Sequence, residues 1–395
     1  MSLTKRNINM IYFYVFIAQL AFDRALWVIY LSDSGLSMGQ IGIIEAIMHL
    51  SVVLFEIPTG MISDLYGRKV SILLGNVTML GYAGFMLYSD SLSLFGLAFM
   101  SLGLGMTFRS GAEEALAYDT LKQENREKDY TRIFGNMTAL SLLSLSIAKL
   151  LGGWMADISW EWVYGSMIAV HVITFIPIAL LKEPEREQPK QKHMNFVEQW
   201  RDQFKQGIFI WKKNPTIHMP IILFLAATTT IVILTFYGQE YFTRLGFSSF
   251  MIGAIFTIDG LLGVAMAKLA HRLEQKWEFF NVVNYGYGLY ILFFILFIIS
   301  PEWGIVIAFL ILSQLITLFE PIFSNFIQNL LNSDVRSTFF SMISLVESFV
   351  IMIGFPLFGY MIETIGFQNG FFVLLIVLLI IYSLSFLNRF KNKKS

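Results

Sequence analysis

Long apolar stretches recur along nearly the whole chain and are separated by short polar connections. Each stretch is continuously apolar over about 20 residues, which indicates helices in lipid rather than the alternating strands of a barrel. The pattern predicts twelve membrane-spanning helices, near residues 8–30, 40–62, 70–89, 92–118, 134–156, 162–181, 216–238, 249–269, 280–300, 303–325, 337–361 and 368–387. The predicted fold class is therefore an all-α integral membrane protein.

The distribution of Lys and Arg supports an even number of spans. The N terminus, the even-numbered connections and the C-terminal tail hold most of the 28 Lys and Arg residues, whereas the odd-numbered connections hold only Arg244. Basic residues collect on the cytoplasmic side of a membrane. We therefore expect a multi-pass protein of the cell inner (cytoplasmic) membrane with both termini in the cytoplasm.

One long, charged connection divides the predicted spans into two sets of six. The predicted organisation is an N-terminal six-helix bundle over 1–181, a cytoplasmic linker over 182–214, and a C-terminal six-helix bundle with its tail over 215–395. The linker is either a plain tether or a helix lying on the membrane surface. The surface helix is favoured because apolar residues recur at helical spacing among charged ones, namely Phe196, Trp200, Phe204, Ile208 and Trp211.

The two sets of six share local sequence similarity. The run from Leu151 to Asp157 that closes the fifth span resembles the run from Leu357 to Glu363 that closes the eleventh. This predicts two homologous, pseudo-symmetric halves. Such repeats are typical of transporters that alternate access around a site between their halves.

Composition excludes several other classes of protein. The chain is 56% hydrophobic and 14% charged with a mean hydropathy of +0.63, whereas soluble chains carry roughly 25% charged residues. The net charge of zero gives no reason to expect a nucleic-acid partner. The chain has no cysteine, no phosphate-binding G-x-x-x-x-G-K-[ST] loop, no H-E-x-x-H and no G-x-S-x-G. We expect no enzyme activity, metal or cofactor, and we expect a monomer driven by a proton or ion gradient whose partners are a small-molecule substrate, protons and membrane lipids.

The connection between the second and third spans carries a recognisable motif. The segment from Gly60 to Lys69 reads G-M-I-S-D-L-Y-G-R-K and resembles the G-x-x-x-D-x-x-G-R-[KR] signature of the major facilitator superfamily. The resemblance implies that superfamily's fold of two six-helix bundles. It also implies a conformational latch, formed by Gly60, Asp64, Gly67, Arg68 and Lys69. The alternative for the two basic residues is simple anchoring on the cytoplasmic side.

A second resemblance concerns Arg109 in the fourth span. Arg109 lies where drug/proton antiporters of the superfamily carry an intramembrane arginine, and the residues around it are similar to the fourth helix of bacterial members described as drug exporters. The antiporter motif G-P-x-x-G-G of the fifth helix is matched by A-K-L-L-G-G, in which Lys149 replaces the proline. The resemblance implies multidrug efflux.

Charged side chains inside the spans are the candidate functional residues, because each costs several kcal/mol unless it faces a partner or a water-filled cavity. The candidates for proton coupling are Asp23, Arg24, Glu45, His49, Glu56, Arg109, Glu113, Glu114, Lys149, Asp259 and Glu347. Asp23 and Glu113 are the preferred proton carriers, with Arg109 and Lys149 as the cations that tune them. A static ion-pair network is the alternative. Candidate substrate contacts are Gln19, Trp27, Tyr237, Tyr285 and Tyr287.

The leading functional hypothesis is a secondary active transporter that exports drug-like or lipophilic small molecules by proton antiport and alternating access. Uptake or exchange of a nutrient or anionic metabolite is one alternative, and a lipid-headgroup flippase is another. In both alternatives Lys149 would bind the anionic group. A membrane sensor would be expected to bring a signalling domain, and no stretch of the chain is long enough to supply one.

Overall fold

The computed structural model describes residues 3–185, 196–331 and 333–392, and these contain helices but no strand. Two 3₁₀ helices, Glu127–Asp129 and Pro215–Ile217, separate longer elements. The α-helices are α1 Leu3–Ala18, α2 Trp27–Asp33, α3 Met38–Tyr66, α4 Arg68–Tyr88, α5 Leu92–Arg109, α6 Ala112–Lys122, α7 Tyr130–Ala156, α8 Trp160–Leu180, α9 Phe196–Lys213, α10 His218–Arg244, α11 Ser249–Lys276, α12 Phe279–Ile299, α13 Glu302–Leu330, α14 Ser333–Ile365 and α15 Phe367–Asn392.

Within the described ranges, eleven stretches are long and apolar enough to cross a membrane. The expected first span is not among them, because α1 and α2 are separated by the non-helical segment 19–26. The prediction of one continuous helix over 8–30 was therefore wrong. At 1.5 Å per residue α1 is about 24 Å long, which is shorter than a hydrocarbon core of about 30 Å. Neither α1 nor α2 alone is long enough to count as a span.

The expected fourth span, near 92–118, is also interrupted. Helix α5 ends at Arg109, and α6 begins at Ala112. Between them Gly111 has φ +70°, a left-handed conformation that favours glycine. Irregular backbone at membrane depth is tolerated where it is buried in protein or lines a cavity. The two interruptions therefore indicate where a cavity should be sought.

The chain forms two compact units. Unit 1 comprises Met1–Leu36, Gln40–Phe196 and Phe247–Thr257, and unit 2 comprises Ser37–Gly39, Val197–Gly246 and Ile258–Ser395. The predicted linker is divided between them, so that nearly all of α9 belongs to unit 2.

Helix α9 lies within the residues of the predicted linker. Ile210 packs in an apolar cluster of unit 2 with Ile217 and Ile221, whereas Ile208 and Phe209 are exposed. Three further residues of the predicted surface helix, Phe196, Trp200 and Phe204, have side chains that the structure does not describe.

The carboxylates of the repeated segments make equivalent contacts. In unit 1, Asp157 accepts the backbone N–H groups of Ser249 and Phe250 at 2.9 and 3.1 Å, at the start of α11. In unit 2, Glu363 accepts the N–H of Gly39 at 2.6 Å, in the first turn of α3. Each carboxylate thus satisfies N–H groups that a helix start leaves without a partner in the helix.

The glycines of the repeated segments show the same equivalence. A Cβ on Gly153 would lie 2.5 Å from the carbonyl oxygen of Ser249, and one on Gly359 would lie 2.3 Å from that of Met38. Both positions therefore require glycine for close backbone approach. The similarity found in the sequence corresponds to a repeated packing geometry.

Gly152 holds the non-helical segment 19–26 against α7. A Cβ at this position would lie 1.8 Å from the carbonyl oxygen of Phe22. A side chain at Gly152 would push the segment away, and neighbouring Asp23 would move with it.

We expect Gly152→Ala to lower the free energy of unfolding by about 1–3 kcal/mol, the usual cost of overpacking. The measurement is thermal unfolding of the purified protein, followed by intrinsic fluorescence. Gly135→Ala is the matched control, because it lies on the same helix with nothing within 4 Å of its Cβ position. Equal melting temperatures for the two variants would contradict the packing described.

Candidate functional site

Unit 1 contains a cavity of about 450 Å³ at the two helix interruptions. It brings together seven of the residues singled out from the sequence. The lining residues are Ala18, Gln19, Ala21, Asp23, Arg24, Trp27, Met79, Tyr82, Phe99, Leu102, Met106, Arg109, Ser110, Gly111, Glu113, Glu114, Leu145, Met167 and His171.

Arg109 connects the ends of the interrupted helices. Its Nε donates to Oε1 of Glu113 at 2.7 Å, and its Nη1 donates to the carbonyl oxygen of Ala18 at 3.5 Å. The guanidinium lies 5.6 Å from the ring centre of Tyr14, whose hydroxyl donates to the same Glu113 oxygen at 2.9 Å. Arg109 and Glu113 therefore form an ion pair whose hydrogen bonds extend to α1.

Helix electrostatics explain why these charges lie at the interruptions. Ala18 is the last residue of α1, where carbonyl oxygens lack partners in the helix and a positive charge is favourable. Glu113 and Glu114 lie in the first turn of α6, where N–H groups are free and negative charge is favourable. Arg109 thus supplies the cation that one helix end requires, and Glu113 supplies the anion that the other requires.

Asp23 lies in the non-helical segment and is buried, with 3% of its surface exposed. Tyr82 of α4 donates its hydroxyl hydrogen bond to the Asp23 carboxylate. Arg24 follows Asp23 directly and also lines the cavity. Asp23 is therefore a carboxylate at the cavity wall that is held by a phenol.

Methionine and aromatic side chains make part of the wall apolar and adaptable. Trp27 and Phe99 pack with ring centres 4.9 Å apart. Met79, Met106 and Met167 line the same cavity. Flexible, polarisable methionine side chains with aromatic rings are typical of pockets that accept varied lipophilic molecules.

The other charged candidates of unit 1 do not line this cavity. On α3, buried Glu45 pairs with His49 at 3.6 Å, and Glu56 is exposed. Lys149 donates to the carbonyl oxygen of Phe256 at 3.4 Å. Lys149 is therefore engaged with backbone away from the cavity wall, which does not favour it as the ligand of an anionic substrate.

The charged candidates of unit 2 lie elsewhere. Asp259 on α11 accepts a hydrogen bond from Nε2 of Gln314 at 2.7 Å. Glu347 is partly buried on α14.

The three tyrosines proposed as substrate contacts also belong to unit 2. The hydroxyl of Tyr237 donates to the backbone carbonyl oxygens of Met38 and Phe355 at 3.1 and 2.9 Å. Tyr285 is 68% exposed, and buried Tyr287 stacks on Tyr382 with ring centres 5.5 Å apart. None of the three lines the cavity of unit 1.

The motif from Gly60 to Lys69 forms a charged cluster within unit 1. Arg68 donates to Asp64 at 2.6 Å, and its Nε lies 3.9 Å from a carboxylate oxygen of Asp119. Gly67 has φ +120°, which allows the sharp turn between α3 and α4. Gly60 has nothing within 4 Å of its Cβ position, so packing does not require glycine there.

The start of α4 is capped by Glu183 rather than by Asp64. The backbone N–H groups of Arg68 and Lys69 each donate to a Glu183 oxygen at 2.8 Å. Lys69 in turn donates to the carbonyl oxygens of Ala179 and Leu181 at 3.0 and 2.7 Å. The motif therefore fixes the end of α8 to the start of α4, in addition to any role of its basic residues as cytoplasmic anchors.

Several residues of the site were missed in the sequence. Tyr14 and Tyr82 donate hydrogen bonds to the carboxylates of Glu113 and Asp23, and His171, which contacts Asn76, forms part of the wall. Tyrosines are common in apolar spans and gave no signal. Asn76 and His171 were the better clue, since buried polar side chains in a span require partners.

Comparisons with known proteins agree with this architecture. Residues 8–354 match the family model of the Major Facilitator Superfamily. The chain belongs to this superfamily. An uncharacterised MFS-type transporter of Bacillus subtilis (strain 168), YxaM, is 23% identical over 90% of this chain and 88% of its own length.

Two further similarities concern proteins whose names describe a function. The class H tetracycline resistance protein of Pasteurella multocida is 25% identical over 60% of this chain and 58% of its own length. The crystal structure of the nucleoside transporter NupG superposes with a TM-score of 0.79 at 13% identity, covering 99% of this chain and all of NupG. The structural likeness shows the superfamily fold, and the protein is a multi-pass membrane transporter.

We expect Glu183→Ala to destabilise this superfamily protein by about 0.5–2 kcal/mol, because it removes the cap of α4. Thermal unfolding of the purified variant measures the loss. Glu185→Ala is the control, since Glu185 is exposed two positions away. If Glu185→Ala destabilises the protein by the same amount, the effect comes from removing a negative charge from this segment and not from removing the cap of α4.

Proposed function

We propose that this transporter exports lipophilic cations in exchange for protons by alternating access. The observation that carries the proposal is the cavity of unit 1, in which Asp23 and the Arg109–Glu113 pair face an apolar wall of methionine and aromatic side chains. The similarity to a tetracycline resistance protein supports an export function.

The charge balance of the cavity favours a cationic substrate. Three carboxylates, those of Asp23, Glu113 and Glu114, line it together with two guanidinium groups, those of Arg24 and Arg109. The wall therefore carries one excess negative charge when all five groups are ionised. In a site of low dielectric such an imbalance attracts a cation, which is either a substrate or a proton.

Asp23 and Glu113 are the proposed proton carriers. The proton affinity of a buried carboxylate depends strongly on the donors that contact it. Tyr82 contacts Asp23, whereas Tyr14 and Arg109 both contact Glu113. Any movement of α1 or α4 changes these contacts, so that the conformation of unit 1 and the binding of a proton are coupled. Lys149 has no part in this scheme.

The proposal is tested in liposomes that contain a pH-sensitive dye and an acidic lumen. External ethidium is expected to make the lumen more alkaline, because each cation that enters is exchanged for a departing proton. Asp23→Asn and Glu113→Gln are expected to reduce this proton flux to the level of protein-free liposomes. The readout is the initial rate of the dye signal.

Glu240→Gln is the matched control. Glu240 pairs with Arg244 four positions away at 2.9 Å, as Glu113 does with Arg109, but it lies in unit 2 and outside the cavity. The control variant is expected to retain ethidium-dependent proton flux. Proton flux with uridine, xylose or citrate but none with ethidium would refute export of lipophilic cations and favour nutrient uptake or exchange.

A further inference from the structure

His171 of α8, which lines the cavity, makes two hydrogen-bond contacts with Asn76 of α4. Nδ2 of Asn76 donates to the backbone carbonyl oxygen of His171 at 2.9 Å. Nδ1 of the His171 ring lies 3.0 Å from Oδ1 of Asn76. Both residues are buried, with Asn76 2% and His171 5% exposed.

This pair determines which ring nitrogen carries the proton. A carbonyl oxygen only accepts hydrogen bonds, so the end of the Asn76 amide that faces the His171 carbonyl must be the NH₂ group. The other end is then the amide oxygen, which also only accepts. Nδ1 of His171 must therefore be protonated to make the second bond. In the neutral ring Nε2 is consequently a bare acceptor.

Nε2 is available to a ligand. It makes no hydrogen bond to the described residues, and these residues do not enclose it completely. Since His171 lines the cavity, the lone pair of Nε2 is accessible from it. A second proton on the ring would add another cation to a wall that already holds Arg109 and Arg24.

We propose that Nε2 of His171 accepts a hydrogen bond from the substrate, so that the preferred lipophilic cations carry an N–H donor and quaternary ammonium ions without any N–H group are disfavoured. This inference rests on the proposed function and specifies its substrate class. Asn76 acts as a positioning residue that fixes the ring tautomer. A buried acceptor left without a donor costs more than a weak contact gains, which makes such a site selective.

The first test measures selectivity for the donor. Isothermal titration calorimetry compares protonated imipramine with its N-methyl quaternary derivative at neutral pH, since the two cations differ in the N–H group. We expect wild-type protein to bind imipramine about tenfold more tightly. His171→Phe should bind the two cations equally, whereas the control His218→Phe, whose ring bonds to the Trp211 carbonyl in unit 2, should keep the preference.

The possible outcomes distinguish this inference from the proposed function. If both cations bind wild-type protein with the same affinity, the role of His171 is refuted and cation export stands. If His171→Phe weakens both cations by the same factor, the residue is structural and the inference is refuted. If neither cation binds, cation recognition fails and the inference fails with it.

The second test observes the tautomer directly and needs no ligand. In nitrogen NMR of protein labelled with ¹⁵N-histidine, the ring signals that disappear in His171→Phe belong to His171. We expect this ring to be protonated at Nδ1 and unprotonated at Nε2. Asn76→Leu should shift this ring to the opposite tautomer, and Asn76→Asp, which keeps the acceptor, should preserve it. A wild-type His171 ring protonated at Nε2 would overturn the proposal even if Asn76→Leu does not fold.

Discussion

The contact of Arg109 with two helix ends is the interaction on which the rest of the site depends. Interrupting a helix inside a membrane leaves N–H and C=O groups without partners, at a cost of several kcal/mol for each. Arg109 offsets part of this cost at the end of α1 and positions Glu113 at the start of α6. Without this cation both interruptions would be unfavourable, and the cavity between them would lose its polar wall.

The fold was largely predictable because lipid imposes a simple rule of length and polarity. The all-helical membrane fold and the positions of most spans followed from the sequence. The two interruptions did not, because their causes are tertiary. The segment 19–26 leaves helical geometry where the Phe22 carbonyl packs on Gly152, more than a hundred positions away in the chain. Gly111 was a local signal for the second interruption. A single glycine in an apolar run is too weak a signal to predict a break in a helix.

The site was predictable in part, and the reason is again physical. Asp23, Arg109 and Glu113 stood out because an ionised group in an apolar run is costly unless it contacts a partner or a water-filled cavity. Tyr14 and Tyr82, which donate hydrogen bonds to Glu113 and Asp23, did not stand out, because tyrosine is common in apolar spans. The pattern of charges also gave no indication of which would converge, and so Asp259 and Lys149 were grouped with residues of a cavity that neither of them lines.

The interrupted first span has a consequence for biosynthesis. Asp23 and Arg24 would each oppose insertion by about 2.5–3.5 kcal/mol at the centre of an isolated helix. The groups that accommodate this segment, Tyr82 and Gly152, are translated only with the third and fifth spans. The interrupted segment is thus translated before the groups that stabilise it, and it reaches a stable place in the bilayer only once the fifth span has been made.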